Sequence, residues 1–227
     1  MTAHQTDTAR ALLDAALMHV PFDGWSDATL AAAARDCGVD PALARAFYPR
    51  GGLDLALAYH RAGDAAMRAG LAARNDLATL RFRERIALAV RLRLENADRE
   101  AVRRAAALLA LPQNTPEAAR ALWNTADAIW TALGDTSEDG NWYSKRAILS
   151  GVYSATVLYW LGDDSEGAQD TWDFLDRRIE GVMRFEQNKA RIKASPVLNA
   201  TLGLPFRLLE QIRKPADMGP MPGRWSR

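Results

Sequence analysis

The chain has little of what usually announces a function. Its one cysteine, Cys37, excludes a disulfide within the chain and suits a reducing compartment. His4, His19 and His60 stand far apart and form no ExxH or HExxH spacing, so a helical di-iron or zinc centre lacks its ligands. No GxSxG elbow, phosphate-cradling glycine loop or dinucleotide fingerprint occurs, and no cofactor or catalytic constellation is expected. The formal net charge is +1, which removes any global attraction to nucleic acid or anionic membrane. No apolar run approaches the roughly 20 residues needed to cross a bilayer. The opening MTAHQTDTAR has no apolar stretch behind a basic one, so no secretory leader is expected. The expected protein is not an enzyme, and it is soluble or lies on a membrane without crossing it.

What the chain does have is helix-forming apolar content. Apolar residues make up 48% of its 227, and Ala and Leu outnumber the β-branched types. Unbranched side chains lose little rotamer freedom in a helix, so an all-α fold is expected. Apolar spacing predicts a first helix over 7–19. Ser26 is placed to cap a second helix ending near Cys37, and Gly38-Val39-Asp40-Pro41 reads as a turn in which Asp40 caps a third. A long helix is expected from Gly51-Gly52 through Leu55, Tyr59 and Met67. Further helices are expected over 76–97, 98–110, 115–133, 141–162 and 166–194, with a last one within 196–213; Asn114 is expected to cap the one at 115. This gives a helix-turn-helix-like unit (1–50), a helical domain (51–195), an amphipathic helix (196–214) and a tail (215–227) rich in Pro and Gly.

The first unit resembles the N-terminal domain of TetR-type regulators, yet its chemistry opposes DNA. Residues 1–60 carry four arginines against seven aspartates, a net charge of −3. Phosphate contacts supply most of the salt-dependent affinity for duplex DNA. The short helix Pro41–Phe47 offers Arg45 alone to a base edge. The unit is expected to be a remnant of the fold, with no nucleic acid as partner. The carboxylates Glu84, Glu95 and Glu100 interleave with Arg81, Arg83, Arg85, Arg91, Arg93 and Arg99, which reads as a solvated, salt-bridged face.

The informative stretch is 111–183. Five of the seven tryptophans lie in it: Trp123, Trp130, Trp142, Trp160 and Trp172. Its 141–162 helix is apolar on nearly all sides, so it must be buried in its own domain, at a subunit interface or against an apolar ligand. Asn141-Trp142-Tyr143 closes a polar loop. Neighbouring side chains on a helix diverge by about 100°, so at least one of the two aromatics is expected to face solvent or a partner.

Leu111-Pro112, Asn114, Pro116, Asp127-Ala128-Ile129-Trp130, Gly134-Asp135, Asn141-Trp142-Tyr143, Lys145-Arg146 and Thr171-Trp172 resemble the Coq-nine family of ubiquinone-biosynthesis accessory proteins. The resemblance is close over 111–183 and loose elsewhere. It implies a TetR-like fold without DNA binding, and an isoprenoid, quinone or phospholipid ligand. It also implies association with the di-iron demethoxyubiquinone hydroxylase, to which the quinone intermediate would be presented. The lipid-lining residues it suggests are Trp130, Leu149, Tyr153, Val157, Trp160 and Trp172; ordinary core packing is the competing reading for each. The partner patch would comprise Asn141, Trp142, Tyr143 and Arg146.

The family's last helix is implied to touch membrane. Here Gly203 and Pro205 interrupt it, leaving Leu204, Arg207, Leu208, Leu209 and Ile212 as the expected contact. Residues 177–214 hold nine basic side chains against three acidic ones, a local charge of +6 that suits an anionic surface. A cytoplasmic protein peripheral to the bacterial inner membrane is expected, or one on the matrix side in mitochondria. A homodimer is expected by fold analogy. The alternative is a TetR-type transcription regulator with an apolar effector pocket.

Overall fold

The computed structural model describes residues 3–136 and 140–194, so the expected membrane segment with Leu204, Arg207, Leu208, Leu209 and Ile212 lies outside the described residues. Among them there are nine α-helices and no strand: α1 (Ala3–Asp23), α2 (Asp27–Asp36), α3 (Pro41–Phe47), α4 (Gly52–Ala72), α5 (Phe82–Glu95), α6 (Arg99–Leu109), α7 (Thr115–Ala132), α8 (Gly140–Leu161) and α9 (Gln169–Ala194).

Local chemistry sets the helix starts. Ser26 Oγ accepts from Thr29 N–H at the head of α2, and Asp40 Oδ1 accepts from the N–H groups of Ala42 and Leu43 at the head of α3. Gly38 turns between them with φ +62°, a conformation that a side chain would strain. Gly52 opens α4 against the Trp25 backbone: a Cβ there would lie 2.2 Å from the Trp25 carbonyl carbon. Two starts differ from expectation. Residues 77–79 form a short 3-10 turn, and α5 begins only at Phe82, because Arg81 N–H donates to the Glu84 carboxylate at 2.8 Å and starts a new helix. Asn114 does not cap α7; its Nδ2 donates to Leu108 O at 2.9 Å, tying the turn back to α6.

The described chain has two apolar cores. The first joins α1, α2, α3 and the start of α4, and it takes in Ala101 and Ala105 of α6. Trp25 Nε1–H donates to Ala101 O at 2.9 Å across this junction, so the N-terminal unit is not closed on itself. The second core runs from Met67 and Leu71 of α4 through α5, α7 and α8 to Leu175 and Ile179 of α9. The turn before α9 is held by Asp163, which accepts from Ser165 N–H at 2.8 Å, from Thr171 N–H at 2.9 Å and from the Thr171 hydroxyl at 2.5 Å; the Ser165 and Thr171 side chains first, and these N–H groups after them, hold its carboxyl well below the usual carboxylate range.

Candidate functional site: two apolar cavities around helix α8

Apolar on nearly every side, α8 has a cavity on each of two flanks. The larger, about 250 Å³, lies between α4, α5, α6, α7 and α8. Small side chains make the room: Ala56, Ala105, Ala106, Ala118 and Ala121, with Val102, Leu109, Leu122, Val157 and Leu158 completing an apolar wall. Leu158 is 68% exposed and Ala110 is also exposed, which marks the open side. The second cavity, about 200 Å³, lies between α5, α7, α8 and α9, lined by Phe82, Ile86, Trp130, Ile148, Leu149, Val152, Ile179 and Val182. Ile148, Val152 and Val182 also wall a neighbouring groove that carries Arg177 and Arg178.

The inner end of the larger cavity is polar. Arg93, 4% exposed, pairs with Asp64, 5% exposed, at 2.8 Å, and also donates to His60 O at 2.9 Å. Thr125 Oγ1 donates to Asp64 Oδ1 at 2.9 Å and lies 2.7 Å from His60 Nε2. Since that hydroxyl proton goes to the carboxylate, its lone pair accepts from His60 Nε2–H, which fixes the neutral tautomer. Burial, reinforced by the Arg93 charge, pushes His60 down to about 4. Burial opposes the Arg93 charge, but the Tyr153 and Asp64 oxygens more than offset it, and its pKa is raised. Tyr153, 3% exposed, lines the same end, 5.9 Å from ring centroid to the Arg93 guanidinium carbon; burial pushes its hydroxyl up.

The salt-bridged face expected over residues 81–100 is not solvated throughout: Arg93 is buried. It follows Ile86 and Val90 on the buried stripe of α5, as His60 and Asp64 precede Met67 and Leu71 on that of α4. That 3.6-residue register was the available signal for the cluster. Arg81 and Glu84 do form an exposed pair.

The suggested lipid-lining residues divide. Tyr153 and Val157 line the larger cavity, Trp130 and Leu149 the smaller. Trp160 and Trp172 line neither: each is packed in the core with a guanidinium on its face, Arg99 at 4.9 Å and Arg91 at 5.2 Å from the ring centroid. Trp172 Nε1–H is also taken up by Gly167 O at 2.8 Å.

The suggested partner residues come together at the head of α8. Trp142 and Tyr143 are half-buried, meet edge to face at 4.8 Å, and both pack on Trp123 of α7. Asn141 belongs to the same first turn. Arg146 lies beneath them rather than on the surface. It is 2% exposed and bonds Asp127 at 2.6 Å, Asp135 at 3.1 Å and the Trp142 carbonyl at 3.2 Å. Lys145 pairs with Asp135 at 2.7 Å and lies 5.0 Å over Trp130, linking the patch to the smaller cavity.

A long helix leaving a helix-turn-helix unit and leading into a helical domain with an apolar cavity is the architecture of TetR-type regulators. A TetR transcriptional regulator from Nitrosomonas europaea superposes with a TM-score of 0.61 at 19% identity, covering 77% of this chain and 97% of that one. The chain therefore has the TetR-regulator-like fold. Its sequence relatives are narrower: residues 115–186 match the COQ9 family model, and the chain is similar to the COQ9 proteins. The rat "Ubiquinone biosynthesis protein COQ9, mitochondrial" is 34% identical over 192 residues, covering 81% of this chain and 61% of the relative. The human protein of the same name is 31% identical over 192 residues, covering 81% and 60%. The chain thus spans about 60% of the length of these curated relatives.

Proposed function

We propose that the protein is a lipid-binding accessory protein of ubiquinone biosynthesis. It holds a quinone or isoprenoid lipid beside α8 and presents the intermediate to the di-iron demethoxyubiquinone hydroxylase. The observation that carries the reading is the placement of α8: one helix walls two apolar cavities and bears the Trp142–Tyr143 cluster at its head. An apolar cavity with a few convergent polar groups is the form ligand sites take. The names of its relatives supply the pathway. Among the described residues no helix is long and apolar enough to cross a membrane. Docking on the membrane surface, through Leu204, Arg207, Leu208, Leu209 and Ile212, completes the proposal. It places the protein peripherally on the inner membrane, as a homodimer by analogy with its fold.

The regulator reading is disfavoured by the N-terminal unit. Arg45 is paired with Asp27, and Arg50 with Asp54 and Glu117, all at 2.8 Å. Cations held by carboxylates of their own chain are poorly placed to neutralise phosphates.

The test is mass spectrometry of organic extracts from the purified chain, together with co-purification of the hydroxylase. Recovered quinone, isoprenoid or phospholipid and a retained hydroxylase are expected. A chain free of lipid that binds a promoter fragment tightly would overturn the reading.

A further inference from the structure

The polar end of the larger cavity holds a donor with no use inside the protein. Tyr153 is 3% exposed and lines the cavity, yet its hydroxyl makes no hydrogen bond among the described residues. Buried hydroxyls are nearly always bonded, because an unmatched one loses its water for nothing. Nor is it an atom sealed against protein, since Arg91 Nε alone has that status among the described side chains. The hydroxyl therefore meets cavity space.

The groups around it define what would satisfy it. The Arg93 charge is matched by Asp64 at 2.8 Å, and His60 is neutral, so the polar end has no net charge to offer an anion. A phosphate headgroup brought here would lose its hydration without gaining a counter-charge. An uncharged oxygen loses much less, and a single tyrosine O–H suffices for it. The rest of the wall, including Val102, Leu109 and Val157, is apolar apart from Ser154, whose hydroxyl donates to Gly151 O at 3.2 Å, and it runs toward exposed Leu158.

We propose that the larger cavity takes its ligand head first: an uncharged oxygenated ring lies against Tyr153, whose hydroxyl donates to a ring oxygen, while the apolar tail extends past Val157 to Leu158. The assignment rests on the reading of this cavity as a lipid site and adds its polarity. Tyr153 becomes the specificity-determining residue, separating a quinone-type ring from a bare hydrocarbon or a phospholipid.

The test measures displacement of an environment-sensitive naphthalene dye from the full chain by two probes. One is a benzoquinone with a short isoprenoid tail; the other is an isoprenoid hydrocarbon of similar length without oxygen. Tyr153→Phe keeps the ring and removes only the donor. It should weaken the quinone about fivefold, the effect of one neutral hydrogen bond, and leave the hydrocarbon unchanged. Ala106→Phe, which fills the apolar wall, should weaken both. Equal effects of Tyr153→Phe on the two probes, or none on either, would overturn the head-first assignment while leaving the cavity a lipid site. If Ala106→Phe weakens neither, or the wild-type chain takes up neither probe, the lipid reading of the cavity fails and the assignment with it. Melting temperatures of both variants establish that they are folded.

Discussion

The guanidinium carbon of Arg146 lies 4.1 Å from the ring centroid of Trp142, one turn away on α8, and the same guanidinium is bonded to Asp127 and Asp135. The aromatic ring thus rests on a buried cation that two carboxylates hold in place. Cation–π contact of this kind contributes about 0.5–2 kcal/mol, more as water is excluded. Trp142 is oriented from below.

Arg146→Met should therefore damage folding before it damages recognition. Removing one partner of a buried ion pair costs about 3–5 kcal/mol. The loss should fall near the lower figure, because Lys145 still pairs with Asp135 at 2.7 Å. Urea unfolding of the variant measures it; an unchanged midpoint would mean that the network is not formed in solution.

Trp142→Ala and Tyr143→Ala should do the reverse. Both rings are half-buried, so each loses the aromatic pairing, about 1 kcal/mol, and only part of its area. A small fall in melting temperature and a large loss of hydroxylase co-purification are expected. Either variant that unfolds as readily as a core truncation, which costs about 3–5 kcal/mol, identifies its ring as core.

His60 gives a pH signature. Its folded pKa of about 4 lies below the ordinary 6.5, so the unfolded chain binds a proton that the folded one does not. Stability is fully present above pH 6.5, falls as pH drops through that window, and levels off below about 4, for a loss of about 3 kcal/mol at most. Unfolding midpoints between pH 4 and 7 should fall for the wild type and much less for His60→Asn. Parallel curves would place the titration elsewhere. The lowered carboxyls of Asp163, Glu84 and Glu100 add a further fall from about pH 5 downward, which wild type and His60→Asn share, so the difference between the two curves isolates His60.

Duplex DNA should bind weakly and without sequence preference at moderate salt. Residues 1–60 carry a net −3, and Arg45 and Arg50 are paired within the chain. Fluorescence anisotropy with unrelated duplexes tests this, and a nanomolar, sequence-selective complex would contradict it.

Much of the fold was legible because its signals are local. Ser26, Gly38, Asp40 and Pro41 act within one turn of themselves, so their chemistry marks α2 and α3 without knowledge of the rest. Asn114 misled because its amide had a competing acceptor, Leu108 O, that only folding brings near. The site was legible in part. The all-apolar α8 announced burial, but its sequence does not show which flank holds a cavity. Trp160 and Trp172 went to the core, while Tyr153, with the same apolar setting, reached open space. The Asp64–Arg93 pair joins positions 29 residues apart, and among so many surface arginines nothing but helical register distinguished Arg93.

Helix α8 is a single unbroken element of 22 residues, with Trp142 near one end and Tyr153 three turns further on, about 16 Å along the axis. A packed helix moves as a rigid beam, not as a string of independent contacts. If docking at the aromatic end shifts or rotates it, the cavity walls shift too, and ligand affinity changes by some factor. Equilibrium linkage then requires the loaded chain to bind its partner more or less tightly by that same factor. A partner able to loosen the ligand would accordingly bind the emptied chain more strongly than the full one, so the complex would persist after delivery until a new ligand displaced it.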